Sequence, residues 1–504
     1  MFLHNFTHLL HTNKYRLGCV TMNKIIDKLK GDTNNDDNII YRQKRIFFKT
    51  IYIIYNQTIT SSNDISINII RSLNEIHIPF FSNITNKISN FKYQILNTYE
   101  DLVYYLNSGF TIIIWNKSIF IALETRKNLT RGITTPITEN TPRGALDSFT
   151  ESIENNIGLI KRRIKSNDLW IKNYRIGRYT NTSVSLLYIK SIAKEKLVND
   201  IDKLLNKINI DGIIATGTIR NLIEKENKNN FPSIMSAEKP YTAVKYLLEG
   251  HAIILCDNDP FALIMPTTIN DYFLSEEDDF AKSINISLTR IIRYLTFFIT
   301  LLTPGIYIAL TTYNQELIPT ELLIGIAAQR ENVPFSTFVE ALLMMLSFEI
   351  LRESDLKIPS FASSAISIVG ALILGEAAVS AGIVSPIMII VIAITSISAL
   401  TFVEPEFINA LRLYRFLYML GGALFGIHGI LIIFILMIIN LSSYDFLGMP
   451  YLTPFAPPIA ASLKNSIIKS KTINLVKRNH LLTDNIIKNK SGGPYEDKKT
   501  SSLN

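Results

Sequence analysis

Residues 371–386 read ALILGEAAVSAGIVSP, with one ionisable side chain, Glu376, set among Ala, Ile, Leu, Val, Gly and Ser. The next stretch, IMIIVIAITSISALTFV, carries no charge until Glu404. A carboxylate in such surroundings has a narrow chemistry. It can line a water-filled path for ions, or hydrogen-bond to a neighbouring helix as a neutral acid. The centre of a bilayer charges roughly 2.5–3.5 kcal/mol for an ionised acid on insertion scales, so one of these compensations is required. A buried helix of a soluble protein is a third reading, opposed by the length of the run and by the apolar stretch that follows. On the same helix Ser363, Ser367, Ala371 and Gly375 recur every four residues, a small-residue face that lets helix backbones approach closely. Glu376 lies about 100° around the helix from Gly375, beside that face and not opposite it. Residue chemistry alone leaves pore lining and helix packing both open.

A second set of charges precedes it. PTELLIGIAAQRENVPFSTFVEALLMMLSFEILRESDLKIP (319–359) holds Glu321, Arg330, Glu340, Glu349 and Arg352 in two apolar runs broken at Arg330, Glu331 and Pro334. Neither run is a convincing span by itself, and the pattern predicts an interfacial or re-entrant helix pair. The stretch from Pro334 to Glu353 is read as a helix that couples to a partner, and Arg412 with Arg415 as anchors of the last apolar stretch. Catalytic patterns are missing: there is no GxSxG elbow, no HExxH and no His/Cys cluster. DGIIATGTIR has glycines without the spacing that cradles phosphates. The reading is therefore of a protein that is not an enzyme and uses no cofactor or metal.

These residues need a frame. Among 504 residues most Lys and Arg fall before 300 and after 460, while the region between is sparse in charge and rich in Ile, Leu, Ala and Gly. That asymmetry predicts a soluble region joined to a membrane domain. The net charge of +8 is dispersed and mixed with acids, without interleaved stacking aromatics, which argues against nucleic acid as a partner. Two cysteines, Cys19 and Cys256, fit a reducing compartment. The N-terminus lacks the continuous apolar core of a signal peptide. His4, His8 and His11 share one helix face there, but Met22 opens an ordinary polar start, and residues 1–40 are expected to be disordered. Apolar spans are expected at about 290–311, 361–382, 384–403 and 411–440. Four crossings return the chain to its starting side. Arg290 and Arg293 before the first span, and the basic tail at 446–504, make that side cytoplasmic and leave the acidic 313–360 region outside.

The soluble half repeats itself. VYYLNSGFTIIIWNKSIFIAL (103–123) aligns without a gap with VKYLLEGHAIILCDNDPFALI (244–264), and IYIIYNQTIT (51–60) echoes VSLLYIKSIA (184–193). Each copy of the longer unit reads as helix end, Gly stop, buried strand, polar turn and second strand. The fold class expected is an α/β cytosolic region of two related subdomains, 41–135 and, with a linker helix, 136–275, joined to a polytopic all-α membrane domain at 276–445. Ile153, Ile157, Ile160 and Ile164 keep helical spacing in the linker helix, with Lys161, Arg162, Arg163 and Lys165 crowding its end. That basic run either binds a phosphate or lipid headgroup or faces an acidic neighbour.

Several ordered stretches together resemble the GerA family of spore germination proteins, specifically the A-type subunit of nutrient germinant receptors. They are RGALDSFTESIENNIGLIKRRI, LLYIKSIA, the LLEG and AIILCDNDPFALIMP pair, PTELLIGIAAQRENVPF, EALLMMLSFEILRE, SIVGALILGEAAVSAGIVSP and PYLTPFAP, covering about 100–458. The resemblance implies a cytoplasmic N-terminal region, a multi-pass domain in the spore inner membrane, and a homo-oligomer acting as a ligand-gated cation channel. It also implies two partners, a transporter-like B-type subunit and a lipoprotein C-type subunit. A secondary transporter, or a stage V sporulation AF-type paralogue that amplifies ion release, are the alternatives. The family's RGPREAF-like segment begins here at Arg143, with Leu146 where a second basic residue stands in relatives. Met345 follows EALLM where an acid is frequent. Many relatives resemble GQAAV where this chain has Glu376, and that exchange of an amide for an acid favours a polar packing or pore-lining role over an obligatory proton carrier.

Overall fold

The structure, a computed structural model, describes residues 22–33, 36–46, 49–74, 93–96, 98–116, 119–127, 136, 139, 144–224, 229–355, 375–463, 465–470 and 477–488. His4, His8, His11 and Cys19 lie outside the described residues. The chain divides into two compact units, one built from Met1–Glu226, Ser236–Pro266 and His480–Ile486, the other from Asn227–Met235, Thr267–Asn479 and Ile487–Asn504.

The first unit contains the repeat. Its first sheet is formed by β1 (Ile39–Ile46), β2 (Lys49–Asn56), β3 (Tyr93–Leu96), β4 (Phe110–Asn116) and β5 (Ile119–Glu124), in the order β1-β2-β4-β5-β3. The second sheet, from β6 (Leu169–Ile176), β7 (Thr182–Ile189), β8 (Met235–Ala237), β9 (Ala252–Cys256) and β10 (Ala262–Met265), has the same order, β6-β7-β9-β10-β8. The register repeats as well. Ile53 pairs with Ile113 in the first sheet, and Leu186 with Ile254 in the second. These are the residues that the two sequence alignments place opposite one another.

The central strands are continuously apolar because both faces are covered. Successive side chains of a strand point to opposite sides. Ile112 and Ile114 therefore join Leu102, Leu106 and Phe120 on one face, while Ile113 and Trp115 join Ile65, Ile69 and Leu73 on the other. The helix before each inner strand, α2 (Tyr99–Asn107) or, in the second copy, Pro240–Glu249, is followed by a glycine with left-handed backbone, Gly109 at φ 86° and Gly250 at φ 107°. The missing Cβ makes that geometry cheap and ends the helix abruptly.

Residues 22–32 correct the expectation of a disordered N-terminus through 40. They form α1 (Met22–Asp32), whose Ile25, Ile26 and Leu29 are buried in the first sheet's core. MNKIIDKLK places those three on one face, and burial against a sheet stabilises a helix too short to persist alone.

The basic end of α3 (Ile153–Arg163) meets acids. The Lys161 ammonium donates to the Asp36 carboxylate, both side chains being almost fully buried, and Arg163 Nη2 donates to both Asp147 oxygens at 2.6 and 2.7 Å. Burial by itself would raise the Asp36 carboxyl, but the Lys161 charge and the hydrogen bonds from Lys161 and Asn38 outweigh it and hold the group below its ordinary 3.8. A depressed carboxyl contributes stability that is complete above the unfolded value and lost as pH falls through the folded one. Asp36→Asn is therefore expected to destabilise the protein by about 2–3 kcal/mol at neutral pH. Thermal unfolding followed from pH 7 downward checks it: the gap between wild type and variant should close only below the ordinary Asp range.

The second unit is helical. It comprises α4 (Ser283–Thr312), α5 (Thr320–Arg330), α6 (Thr337–Asp355), helical residues 375–380, α7 (Pro386–Ala399) and α8 (Pro405–Ser443). Both α4 and α8 are long and apolar enough to cross a membrane. At α7 the expected 384–403 span is a 14-residue helix. The expected 361–382 span falls outside the described residues except from 375 onward.

The expected single span at 411–440 is a hairpin. Gly426 adopts φ 61° and ψ −143°, outside helical backbone, and the chain reverses there. A Cβ on Gly429 would lie 2.2 Å from the Gly421 carbonyl oxygen, the Asn440 amide donates to the Tyr414 hydroxyl at 2.8 Å, and Tyr418 reaches the Met437 sulfur. A straight helix would hold residues 414 and 440 roughly 39 Å apart at 1.5 Å per residue. The two arms run about 20 and about 17 residues, each within the range that crosses a hydrocarbon core.

Contacts define the two ends of this unit. At one end Phe273 packs on Tyr294, Phe297, Phe402 and Phe407, and Phe231 on Phe407, Tyr414 and Tyr451. At the other, Asn314 accepts from the Ile427 amide at 3.2 Å, and Thr311 donates to Thr337 at 3.2 Å. Helix α6 starts at this second end and runs inward, with Ala341 and Met344 buried against Tyr307, Ile308, Met388, Ile392 and Met419. Of the interfacial or re-entrant pair expected at 313–360, α6 belongs to the packed core, while α5, which buries none of its residues, lies on the outside. The 446–504 segment is not simply a polar tail either. Ser466 and Lys469 are buried, and 465–470 bonds to the start of α4.

Candidate functional site

Within the helical unit four sets of polar residues stand among apolar helices. The first surrounds Glu340 on α6, whose side chain is 0% exposed. Its carboxylate accepts from the Ser385 amide at 3.1 Å and the Ser385 hydroxyl at 2.9 Å, and pairs with Arg330 at 3.2 Å. Ser385 is the N-cap of α7, so Glu340 satisfies a free amide at a helix start and sits where the dipole favours negative charge. With a second bond from the Arg330 Nε at 3.3 Å, four contacts from α5 and the N-cap of α7 fix α6 in register.

The second grouping lies two to three turns further along α6. Glu349 accepts from Arg352 at 3.1 Å and from Arg415 at 3.3 Å, and forms an ion pair with Arg412 at 3.1 Å. Spacing explains the convergence, because Arg412 and Arg415 are three apart and share one face of α8. Three guanidinium groups on one carboxylate leave excess positive charge, and in a low-dielectric setting that charge is felt strongly. The sequence singled out Arg330, Glu340, Glu349, Arg352, Arg412 and Arg415 as coupling or subunit contacts. The structure gathers them into two clusters that lock α5, α6, α7 and α8 to one another. Glu321, in the first turn of α5, is exposed and joins neither cluster.

The third is Glu376. Gly375 faces α7, where a Cβ would rest 3.8 Å from Ile389, whereas Glu376 is exposed on the surface of the chain. Among the described residues no side chain pairs with it. Ser363, Ser367, Ala371 and Arg143 lie outside the described residues.

One grouping escaped the sequence reading. Asp278, 2% exposed, accepts from Arg290 at 2.7 Å and from Arg293 at 2.9 Å. Arg290 also donates to the carbonyls of Asn465 and Ser466, and Lys469 to the Asp278 carbonyl. Arg290 and Arg293 were legible only as a topology signal. The acidic run SEEDD just upstream was the available clue to their partner.

The sequence model for the family described as Bacillus/Clostridium GerA spore germination protein matches residues 27–481. Spore germination protein KA of Bacillus subtilis (strain 168) is 42% identical over 341 residues, 67% of this chain, and the chain spans 62% of that protein's length. The uncharacterized membrane protein YfkQ of the same organism is 33% identical over 85% of this chain and 84% of its own. Spore germination protein A1, also of Bacillus subtilis, is 30% identical over 88% of this chain and 91% of its own. The crystal structure of the N-terminal domain of the A subunit of the Bacillus megaterium spore germinant receptor GerK3 is 28% identical and covers 49% of this chain and 94% of that one, with a TM-score of 0.38. The family model matches most of the length, and relatives at 30% identity or more cover most of it as well: the chain belongs to the GerA family.

Proposed function

We propose that the protein is a non-catalytic A-type subunit of a nutrient germinant receptor in the spore inner membrane, with its N-terminal region cytoplasmic. Copies of it assemble into a ligand-gated cation channel, together with a transporter-like B-type subunit and a lipoprotein C-type subunit. The observation that supports this most is the outward-facing Glu376, an acid on the surface of an apolar helical unit beside a glycine packed inward on Ile389. An acid so placed needs water or a neighbouring copy, and a shared aqueous path supplies both. Glu376→Ala, assembled at the wild-type level, is expected to slow nutrient-triggered potassium release from spores several-fold. Unchanged release kinetics would remove Glu376 from the conduction path.

A secondary transporter is the competing reading. Discontinuous membrane helices line transporter sites, and the reversal at Gly426 is such a break. Uptake of substrate by the protein reconstituted alone in liposomes would decide for it.

A further inference from the structure

Between α6 and the first arm of α8 lies an open pocket of about 390 Å³, lined by Glu349, Ile350, Arg352, Glu353, Ser354 and Arg412. Its polar lining is unbalanced. Both Glu349 oxygens are engaged, Oε2 by Arg352 and Oε1 by Arg412 and Arg415. The Ser354 hydroxyl donates to the Ile350 carbonyl at 2.9 Å and has no proton left to offer. Arg412 Nη2 is buried and finds no acceptor among the described residues. A guanidinium is never deprotonated in a protein, so the unfilled donor cannot be relieved by titration, and it is costly to leave unmade. Glu353 on the rim supplies a second negative charge, which against three arginines still leaves the site cationic.

We propose that this pocket binds a phosphate-type oxyanion, held by Arg412 Nη2 and by the Arg352 guanidinium. Planar guanidinium groups match phosphate oxygens in charge and geometry better than any other side chain. The converging guanidinium groups disfavour an apolar ligand, and their excess charge repels a cation. The phosphate has two sources, a free ion or the headgroup of an anionic lipid. Arg412 is two turns from the start of α8 at Pro405, roughly 10 Å along the axis, close to the end of the unit where Phe407 joins the aromatic cluster. That depth suits a headgroup. The lipid source rests on the membrane reading given above, whereas binding of free phosphate does not.

The test uses the full-length protein. Thermal unfolding in neutral detergent is followed against inorganic phosphate at constant ionic strength, and native mass spectrometry counts lipids retained from phosphatidylglycerol and from phosphatidylcholine nanodiscs. Saturable stabilisation by phosphate assigns the free ion, and selective retention of phosphatidylglycerol assigns the lipid. In either case Arg412→Gln should weaken binding about tenfold or more, and Glu353→Gln, at an exposed rim position, should tighten it severalfold. Lys207→Gln, an exposed charge in the other unit, should do neither. The opposite sign expected for Glu353→Gln keeps the idea testable if Arg412→Gln folds poorly. The proposal is overturned if neither probe binds, if Arg412→Gln and Lys207→Gln behave alike, or if Glu353→Gln leaves binding unchanged.

Discussion

Asp278→Ala is expected to destabilise the full-length protein in detergent by about 3–5 kcal/mol, the range found when one member of a buried ion pair is removed. The reason is the state in which it leaves its partners. Arg290 and Arg293 are 3% and 9% exposed and cannot swing into water without unpacking the start of α4. Their other bonds go to neutral carbonyls, Phe273 for Arg293 and Asn465 with Ser466 for Arg290. Those carbonyls satisfy donors but do not neutralise charge. The 465–470 segment should loosen at the same time, because Arg290 holds its backbone and Lys469 binds next to Asp278. A lower unfolding temperature and faster proteolysis near residue 470 are the two readouts. Replacing all three side chains together, with Asp278→Leu, Arg290→Met and Arg293→Met, should recover most of the loss, since well-packed apolar groups often match a buried ion pair in stability. Failure of that recovery would mean that Asp278 acts by holding backbone geometry and not by compensating charge.

Gly422→Val should be comparably damaging for a different reason. Helices α4 and α8 cross with backbone against backbone: a Cβ on Gly422 would stand 2.5 Å from the Gly305 carbonyl oxygen, and a Cβ on Gly305 would stand 2.8 Å from that of Tyr418. Overpacking a core typically costs about 1–3 kcal/mol because side chains can shift. Here the obstacle is main chain within two regular helices, so the cost lies at the top of that range or above it. The expected result is loss of folded, monodisperse protein on detergent gel filtration. Gly325→Ala provides the contrast, because nothing lies within 4 Å of its Cβ position. It should be neutral or mildly stabilising, by up to about 1 kcal/mol, through helix propensity.

The two glycine results turn on information that the sequence carries unevenly. GGALFGIHG contains Gly421, Gly422, Gly426 and Gly429, and small residues are a fair sign of close helix approach. Yet hydropathy reads 405–443 as one apolar run, because composition is blind to direction. Only the left-handed backbone at Gly426, seen with Tyr414 beside Asn440, shows that the run doubles back. Glu376 is a similar case. Its position about 100° from Gly375 followed from helix geometry, but which neighbour Gly375 faces, and hence that Glu376 points outward, depends on where α7 lies. The basic end of α3 was legible as either a phosphate site or a partner for acids. Asp36, 125 residues away in sequence, decided for acids at Lys161.

By itself the sequence determined the local and the repeated features. The duplicated α/β unit was readable because strand and helix periodicities are short-range, and because two copies under one folding rule keep the same spacing from Gly109 and Gly250 to their strands. The family was readable from ordered motifs spread over most of the chain. Tertiary structure alone decided how charges pair. Glu349 with Arg415, Glu340 with Ser385 and Asp278 with Arg290 join residues on different elements, and the low-dielectric interior makes those pairings strong only once packing has excluded water. Side-chain type announces that a buried charge needs a partner. Only the fold, by bringing one within about 3 Å and removing the solvent that competes for it, determines which partner that is.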